Sequence, residues 1–562
     1  MYQPLPIGVE NFEMLCEEEY YYVDKTMLVK DVLDRKASVN LFTRPRRFGK
    51  TLTLSMLQYY FEDAYDKRGN KKDYRYLFAD KAIAGAGEKY KKHMGQYPVI
   101  SLTLKSGKQA TFEGCMRALK SNLADEFSRH RYILQDSVMT EKERELFESY
   151  MNWEADDEEY KGSLKFLCKC LEDWHGKKVI ILLDEYDVPL EGAYHYGFYE
   201  KMVDFIRGLF EATLKTNSSL YFAVITGCLR ISKESIFTGL NNLEINSILT
   251  ADYGEYFGFT EPEVMKMCQD YDLEDKFQEM KDWYNGYLFG DVNVYNPWSC
   301  IRYVFDHADG RHAYPEAYWV NTSSNSIVRD LIDRADDSQK QVIEDLIAGG
   351  EITIPVHEDI TYDEVYKNEN NLWNFMFFTG YFKKVGEHYE DRHRYITIKI
   401  PNWEVDYIFR EKVLNWFQEK TKETDRTALF TAIVNGDTEN FTRELKGLLM
   451  QTISFHDAYE NFYHGFVAGV LTGMKGYIIK SNREGGKGRS DIFIAPISRA
   501  EEAFVLEFKI ADSLKEMPDK AKEAVQQIID RQYEQELLDL GYIKIKRYGI
   551  AFFAKDCLVI SG

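Results

Sequence analysis

ASVNLFTRPRRFGKTLTLSMLQYYFE, residues 37–62, sets a short apolar run against a basic, glycine-containing loop, followed by a helical pattern through Leu52, Met56, Leu57 and Tyr60. This order predicts strand, loop, helix. Outward from it, further β-rich runs follow at YPVISLTL (97–104), KVIILLDEYD (178–187), LYFAVITG (220–227) and LEINSILT (243–250), mostly separated by long helical stretches. Strand and helix in alternation predict an α/β domain built on a parallel sheet.

The loop between the first strand and its helix carries candidate chemistry. A phosphate-cradling loop of the form G-x-x-x-x-G-K-[ST] uses backbone N–H groups and a helix start to hold phosphate, a Lys to neutralise it, and a hydroxyl to hold Mg²⁺. Gly49, Lys50 and Thr51 fit this form, but Arg44 stands where the first Gly belongs. The run KVIILLDE ends in Asp184 and Glu185, an acid to hold Mg²⁺ and an acid to activate or orient water. Thr226 ends the next run, where it could sense a γ-phosphate, and Arg230 lies just beyond. The nucleotide-binding candidates are therefore Arg46, Arg47, Phe48, Gly49, Lys50, Thr51, Asp184, Thr226 and Arg230, with Thr51 and Asp184 as metal ligands and Glu185 as a catalytic candidate. Each part also has an ordinary reading: a plain helix start, a solvated strand end, a surface charge.

Near the other end, GRSDIFIAPISRAEEAFVLEFKI (488–510) reads as a hairpin of strands SDIFIA and AFVLEFKI around a turn containing Pro496 and Ser498. Strand periodicity places Val505, Glu507 and Lys509 on one face and Leu506, Phe508 and Ile510 on the other. A carboxylate and an ammonium inside an apolar strand are costly in a core and make sense at a site. Asp491 opens the partner strand, Glu460 lies on an upstream helical pattern, and Gln527 lies on a downstream one. Asp491 and Glu507 supply the oxygens that hard Mg²⁺ or Mn²⁺ prefers, and Lys509 could orient water and stabilise phosphorane charge. The alternative is a solvated hairpin edge on which Lys509 pairs with Glu507.

The chain has 562 residues, and 71 Lys+Arg against 92 Asp+Glu give 71 − 92 = −21. That balance excludes a protein that coats nucleic acid by bulk attraction, so any such contact has to be local. A local basic segment exists: KGYIIKSNREGGKGR carries Lys475, Lys480, Arg483, Lys487 and Arg489 against Glu484. The 8 Cys show no CxxC pair and no framework spacing, which reads as reduced, cytoplasmic usage. His195, His307, His312 and the Cys168/Cys170 pair lack convergent metal spacing. No leader and no membrane-spanning segment are expected, because apolar runs such as VIILL (179–183) are strand-length.

RPRRFGKTL, DEYDVPL, TGCLRISKESIFTGLNNL (226–243), WYNGY and YNPWS resemble the predicted AAA-ATPase-like proteins of anaerobic gut bacteria, over roughly the first half of the chain. In that family the first loop Gly is commonly missing, so Arg44 resembles a family trait. The resemblance implies ATP binding without establishing hydrolysis. Asp491 followed by Glu507-x-Lys509 resembles the PD-(D/E)XK nuclease superfamily over about 455–555. Glu460 stands where many members carry an additional acid, and Gln527 resembles the Gln some use near substrate. The expected layout is a P-loop AAA-ATPase-like domain at 1–254, a helical lid or accessory region at 255–371, a winged-helix-like and linker region at 372–451, and a restriction-endonuclease-like α/β domain at 452–562. The expected cofactors are ATP and Mg²⁺, the expected partner is DNA or RNA, and assembly into a homo-oligomer is left open. The leading expectation is ATP-regulated cleavage of phosphodiester bonds. The rivals are a nucleotide-gated nucleic-acid-binding or scaffolding protein, and an ATPase whose tail is inert.

Overall fold

The computed structural model describes residues 2–562 except 137, 216, 231–235, 238–241, 309, 311–313, 320–335, 348, 361, 363, 366–367, 411–424, 453–459, 472–473 and 482–491. It also leaves out the side chains at 337, 344, 451–452, 460–462, 465, 481 and 536. Two units emerge: Met1–Asn325 with Thr353–Val405, and Ser326–Ile352 with Asp406–Gly562.

In the first unit, β1 (Val39–Thr43), β2 (Val99–Thr103), β3 (Val179–Asp184), β4 (Leu220–Gly227) and β5 (Leu243–Asn246) form one sheet in the order β2-β3-β4-β1-β5. Every neighbouring pair is parallel, as the alternating runs predict. β1 and β3 are buried along their whole length, which is why both read as near-continuous apolar runs. The register aligns Thr43 with Gly227 and Thr103 with Asp184, so β1, β3 and β4 end together at one edge. Crevices at the carboxyl ends of parallel strands are where such sheets bind ligands.

Beyond this sheet, within the region expected as a helical lid or accessory region, the aromatic segments form strands. WYNGYLFG and VYNPWS contribute β7 (Tyr287–Phe289) and β8 (Val292–Tyr295), which with β6 (Phe259–Thr260) make a small antiparallel sheet ordered β6-β8-β7. Tyr287, Phe289, Val294 and Tyr295 are buried, so these segments close a core that loops could not. Further on, the helix Glu369–Phe378 leads into β10 (Lys383–Glu390) and β11 (His393–Lys399), and another helix begins at 403. β9 (Ile352–Pro355) joins this hairpin in the order β10-β11-β9. The polar segment GEHYEDRH (386–393) is mostly strand. Only Asp391 and Arg392 turn, both left-handed at φ 47° and 68°, the conformation that two-residue hairpin loops need.

The helix from 403 brings a carboxylate indoors. Glu404 is fully buried, where it accepts hydrogen bonds from Ser299 Oγ at 2.9 Å and from the Trp319 backbone N–H at 2.8 Å. Burial pushes its carboxyl from 4.5 up to about 8. The folded chain therefore keeps a proton that the unfolded chain releases near its ordinary value. The resulting stability is fully present below pH 4.5 and is lost as pH rises through about 8. Thermal unfolding between pH 6 and 9 should show this loss, on the order of 2–4 kcal/mol. Glu404→Gln should flatten the profile, and a profile unchanged by that substitution would remove Glu404 as its source.

The second unit holds β12 (Tyr477–Ser481), β13 (Ile492–Pro496), β14 (Ala503–Ile510), β15 (Ile545–Phe553) and β16 (Asp556–Ser561), hydrogen-bonded in chain order. β14 and β15 run parallel and the other pairs antiparallel. The expected hairpin is β13–β14, although Pro496 ends β13 opposite Tyr477 and does not sit in the turn. The helix Met517–Asp530 covers one sheet face through Ala521 and Ile528. It comes close because residue 549 is Gly: a Cβ there would lie 2.2 Å from the Ala521 carbonyl oxygen. Among the described residues no helix is long and apolar enough to cross a membrane, and all eight cysteines are free thiols.

Candidate nucleotide and nuclease sites

At the carboxyl edge of the first sheet, the helix Lys50–Phe61 starts directly from the loop after β1, with Gly49 as its left-handed N-cap (φ 80°) and no side chain capping it. Its first N–H groups lack intrahelical acceptors, so the helix start is ready to receive an anion. Lys50 is buried, and its Nζ donates to the carbonyls of Arg44 and Pro45, each at 2.9 Å, and lies 3.7 Å from Cys228 Sγ. Asp184, at the end of β3, accepts from both sides: Thr51 Oγ1 reaches Oδ2 at 2.7 Å and Thr226 Oγ1 reaches Oδ1. The interposed strand β4 delivers Thr226 to this point, because it pairs with β1 and β3 at once. Glu185 follows in a left-handed conformation (φ 52°) that a non-glycine residue adopts only when its surroundings impose it. Burial raises its carboxyl above the usual range, the direction that suits a proton acceptor near neutral pH.

Lys50, Thr51, Asp184, Glu185 and Thr226 are thus brought together. The side chains of Arg46, Arg47 and Phe48 have partners of their own. Arg46 ion-pairs with the buried Glu191, which Lys108 also meets at 2.9 Å. Arg47, itself left-handed at φ 68°, lies with its guanidinium 4.6 Å from the Trp298 ring centroid. Phe48 packs against Tyr287 and Phe289 at centroid distances of 4.9 and 5.1 Å. All three residues can also serve a phosphate through their backbone N–H groups. Arg230 pairs with Asp359 at 3.2 Å and Glu358 at 3.8 Å.

Arg44 causes no backbone conflict, since the left-handed positions of the loop are 47 and 49. Its side chain is fully buried, donates from Nη1 to the carbonyls of Thr43 (2.9 Å) and Asn246 (2.6 Å), and lies against Phe257 and Phe289. No described carboxylate pairs with it, and burial alone pushes it down to about 9, so it stays charged at neutral pH.

In the second unit Glu507 is buried on β14, on the face that the helix Met517–Asp530 covers. Gln527 Nε2 donates to Glu507 Oε1 and to the Tyr533 hydroxyl at 3.1 Å, and Lys509 Nζ stands 4.0 Å from Glu507 Oε1. Carboxylate, ammonium and carboxamide therefore share one face, the first two as strand periodicity predicts. Asp491 lies outside the described residues, as do the side chain of Glu460, the basic stretch 482–491 and His312. Glu460 opens the helix Glu460–Leu471. His307 is buried with its ring on Tyr303, and Cys168 and Cys170 are buried thiols raised to about 12, so all three serve packing.

Residues 6–237 match the family model described as a predicted AAA-ATPase, AAA-ATPase-like. Residues 458–562 match that of the PD-(D/E)XK nuclease superfamily. The chain joins an AAA-ATPase-like domain to a PD-(D/E)XK nuclease superfamily domain. A curated relative, an uncharacterized protein in the vnfD 5' region of Azotobacter chroococcum mcd 1, is 26% identical over 330 residues. The match takes in 58% of this chain and 56% of the relative, so the chain spans about half the length of the curated relative it matches. Among solved structures, the Walker-type ATPase PABY2304 of Pyrococcus abyssi aligns with 73% of this chain and 98% of its own, at 14% identity and a TM-score of 0.34.

Within the ATPase-like domain, Asp187 and Glu191 went unread in the sequence. Asp187 Oδ2 accepts the backbone N–H groups of Cys228 (2.7 Å) and Leu229 (3.1 Å), fixing the turn after β4. Glu191 anchors Arg46. The signal was present, since DEYDVPLE repeats acids beyond the first pair at helix-start spacing. In the nuclease-superfamily domain the unread residue is Tyr533, which shares Gln527 with Glu507.

Proposed function

We propose that this chain binds ATP–Mg²⁺ in its AAA-ATPase-like domain, cleaves nucleic-acid phosphodiester bonds with Mg²⁺ in its nuclease-superfamily domain, and lets the nucleotide regulate the cleavage. The cleavage reading is carried by one observation: Glu507, Lys509 and Gln527 converge on a buried face where an unsupported charge would be costly. The nucleotide reading is supported by Lys50, Thr51, Asp184 and Thr226 at an uncapped helix start.

The donor sets fit the cofactors. Thr51 Oγ1 and Asp184 Oδ2 are hard oxygens 2.7 Å apart, the type that Mg²⁺ beside a phosphate chain takes. Glu507 would be one oxygen ligand of the second site, with Asp491, outside the described residues, as its expected partner. When bound, the metal supplies charge neutralisation of the phosphate oxygens and a water of lowered pKa. For their part, Gln527 orients the Glu507 carboxylate, Lys509 offers a cation to the developing phosphorane charge, and Glu185 is placed to take a proton at its carboxylate. Free thiols agree with work in the cytoplasm.

Purified full chain incubated with plasmid DNA, single-stranded DNA and RNA, with and without Mg²⁺ and ATP, tests this. Mg²⁺-dependent products whose yield changes with ATP are expected. Nucleic acid bound without any product, under every metal and nucleotide condition, would favour a gated scaffold.

A further inference from the structure

Resting on the nucleotide reading of the loop, we infer that Trp298 and Phe289, the aromatic residues of YNPWS and YLFG, are positioning residues that hold the phosphate loop from outside. A glycine-rich loop keeps its shape through its own backbone. This one has Arg at its first position and carries Arg47 in a left-handed conformation. Three of its side chains lie on these two rings: Arg44 is 5.2 Å from the Phe289 centroid, Phe48 packs on the same ring, and Arg47 lies over Trp298. The packing around Phe48 is tight. Gly258 is left-handed at φ 100°, and a Cβ there would lie 3.2 Å from Phe48 Cδ1.

Cation–π contacts strengthen as they are desolvated, and Arg44 is fully buried. With these side chains anchored on the rings, the backbone N–H groups of residues 46–51 are left to define the concave side. The two aromatic motifs thereby gain a role that the strand–loop–helix reading does not give them. They set the geometry of a loop roughly 250 residues away in sequence.

Hydrogen exchange of the full chain tests the assignment without any ligand. In Trp298→Ala and Arg47→Met, peptides covering 44–51 should exchange about tenfold faster, while those of β1, β3 and β4 stay unchanged. Trp298→Phe, which keeps a ring under the guanidinium, should restore the wild-type loop rate. Affinity for a fluorescent ATP analogue with Mg²⁺ should fall in parallel by about tenfold in Trp298→Ala and recover in Trp298→Phe. Unchanged loop exchange in both Trp298→Ala and Arg47→Met overturns the inference, as does faster exchange spread over the whole sheet, which marks a merely structural residue. If the loop loosens as expected but the wild-type chain binds no nucleotide, the positioning role stands and the ATP reading fails.

Discussion

Lys50→Met is expected to leave the chain folded and to weaken ATP–Mg²⁺ binding at least about 100-fold, because it removes a charge-assisted donor and leaves the side-chain volume. The effect follows from where the ammonium sits. It is buried against the loop carbonyls of Arg44 and Pro45, and it has no carboxylate among its described hydrogen-bond partners. A phosphate chain at the helix start would give it an anionic partner in place of neutral carbonyls. Isothermal titration with ATP and Mg²⁺ measures the change. Binding within about threefold of wild type would exclude Lys50 from the phosphate contact. Thr51→Ala should cost less, since the hydroxyl is one of several oxygens that a metal can use.

The second large effect concerns cleavage. Glu507→Gln keeps shape and a hydrogen bond from Gln527 but removes the charge that would hold a divalent ion, and Lys509→Met removes the neighbouring cation. Each should lower initial rates of Mg²⁺-dependent cleavage by about 10²–10³-fold or more, the range seen when a single preorganised charge is removed at an active site. Circular dichroism and thermal melting should show the fold retained in Lys509→Met, whose Nζ stands 4.0 Å from the Glu507 carboxylate. Undiminished rates in both variants would sink the site assignment while leaving the superfamily match of residues 458–562 untouched.

The parts of both sites carried by backbone periodicity were legible from the amino acids. β1, the helix after it and the acidic end of β3 follow from buried apolar runs bounded by polar residues, since a strand covered on both faces has few other ways to be written. Glu507 and Lys509 share a face because side chains alternate along a strand, and Gln527 joins them from a well-formed amphipathic helix. Loop side chains obey no such period. Whether Arg47 and Phe48 face a phosphate or Trp298 and Tyr287 is decided by residues about 250 positions away, and Arg230 finds its acids at 358 and 359. The small sheet of β6, β7 and β8 escaped notice because two to four residues are too few for alternation to show. Arg44 stands where the loop pattern has its first Gly. Its side chain is a buried anchor, and its carbonyl is one of the two that receive Lys50.

That seat for Lys50 has a bearing on selectivity. With its ammonium lodged on two carbonyls of its own loop, Lys50 would exchange two neutral acceptors for any anion that the site takes. A single small anion offers little beyond what it displaces. On the proposed nucleotide reading, a polyphosphate would bring several oxygens to the helix start, the lysine and the Thr51–Asp184 pair together, and would be favoured over a small anion by the number of contacts it makes at once.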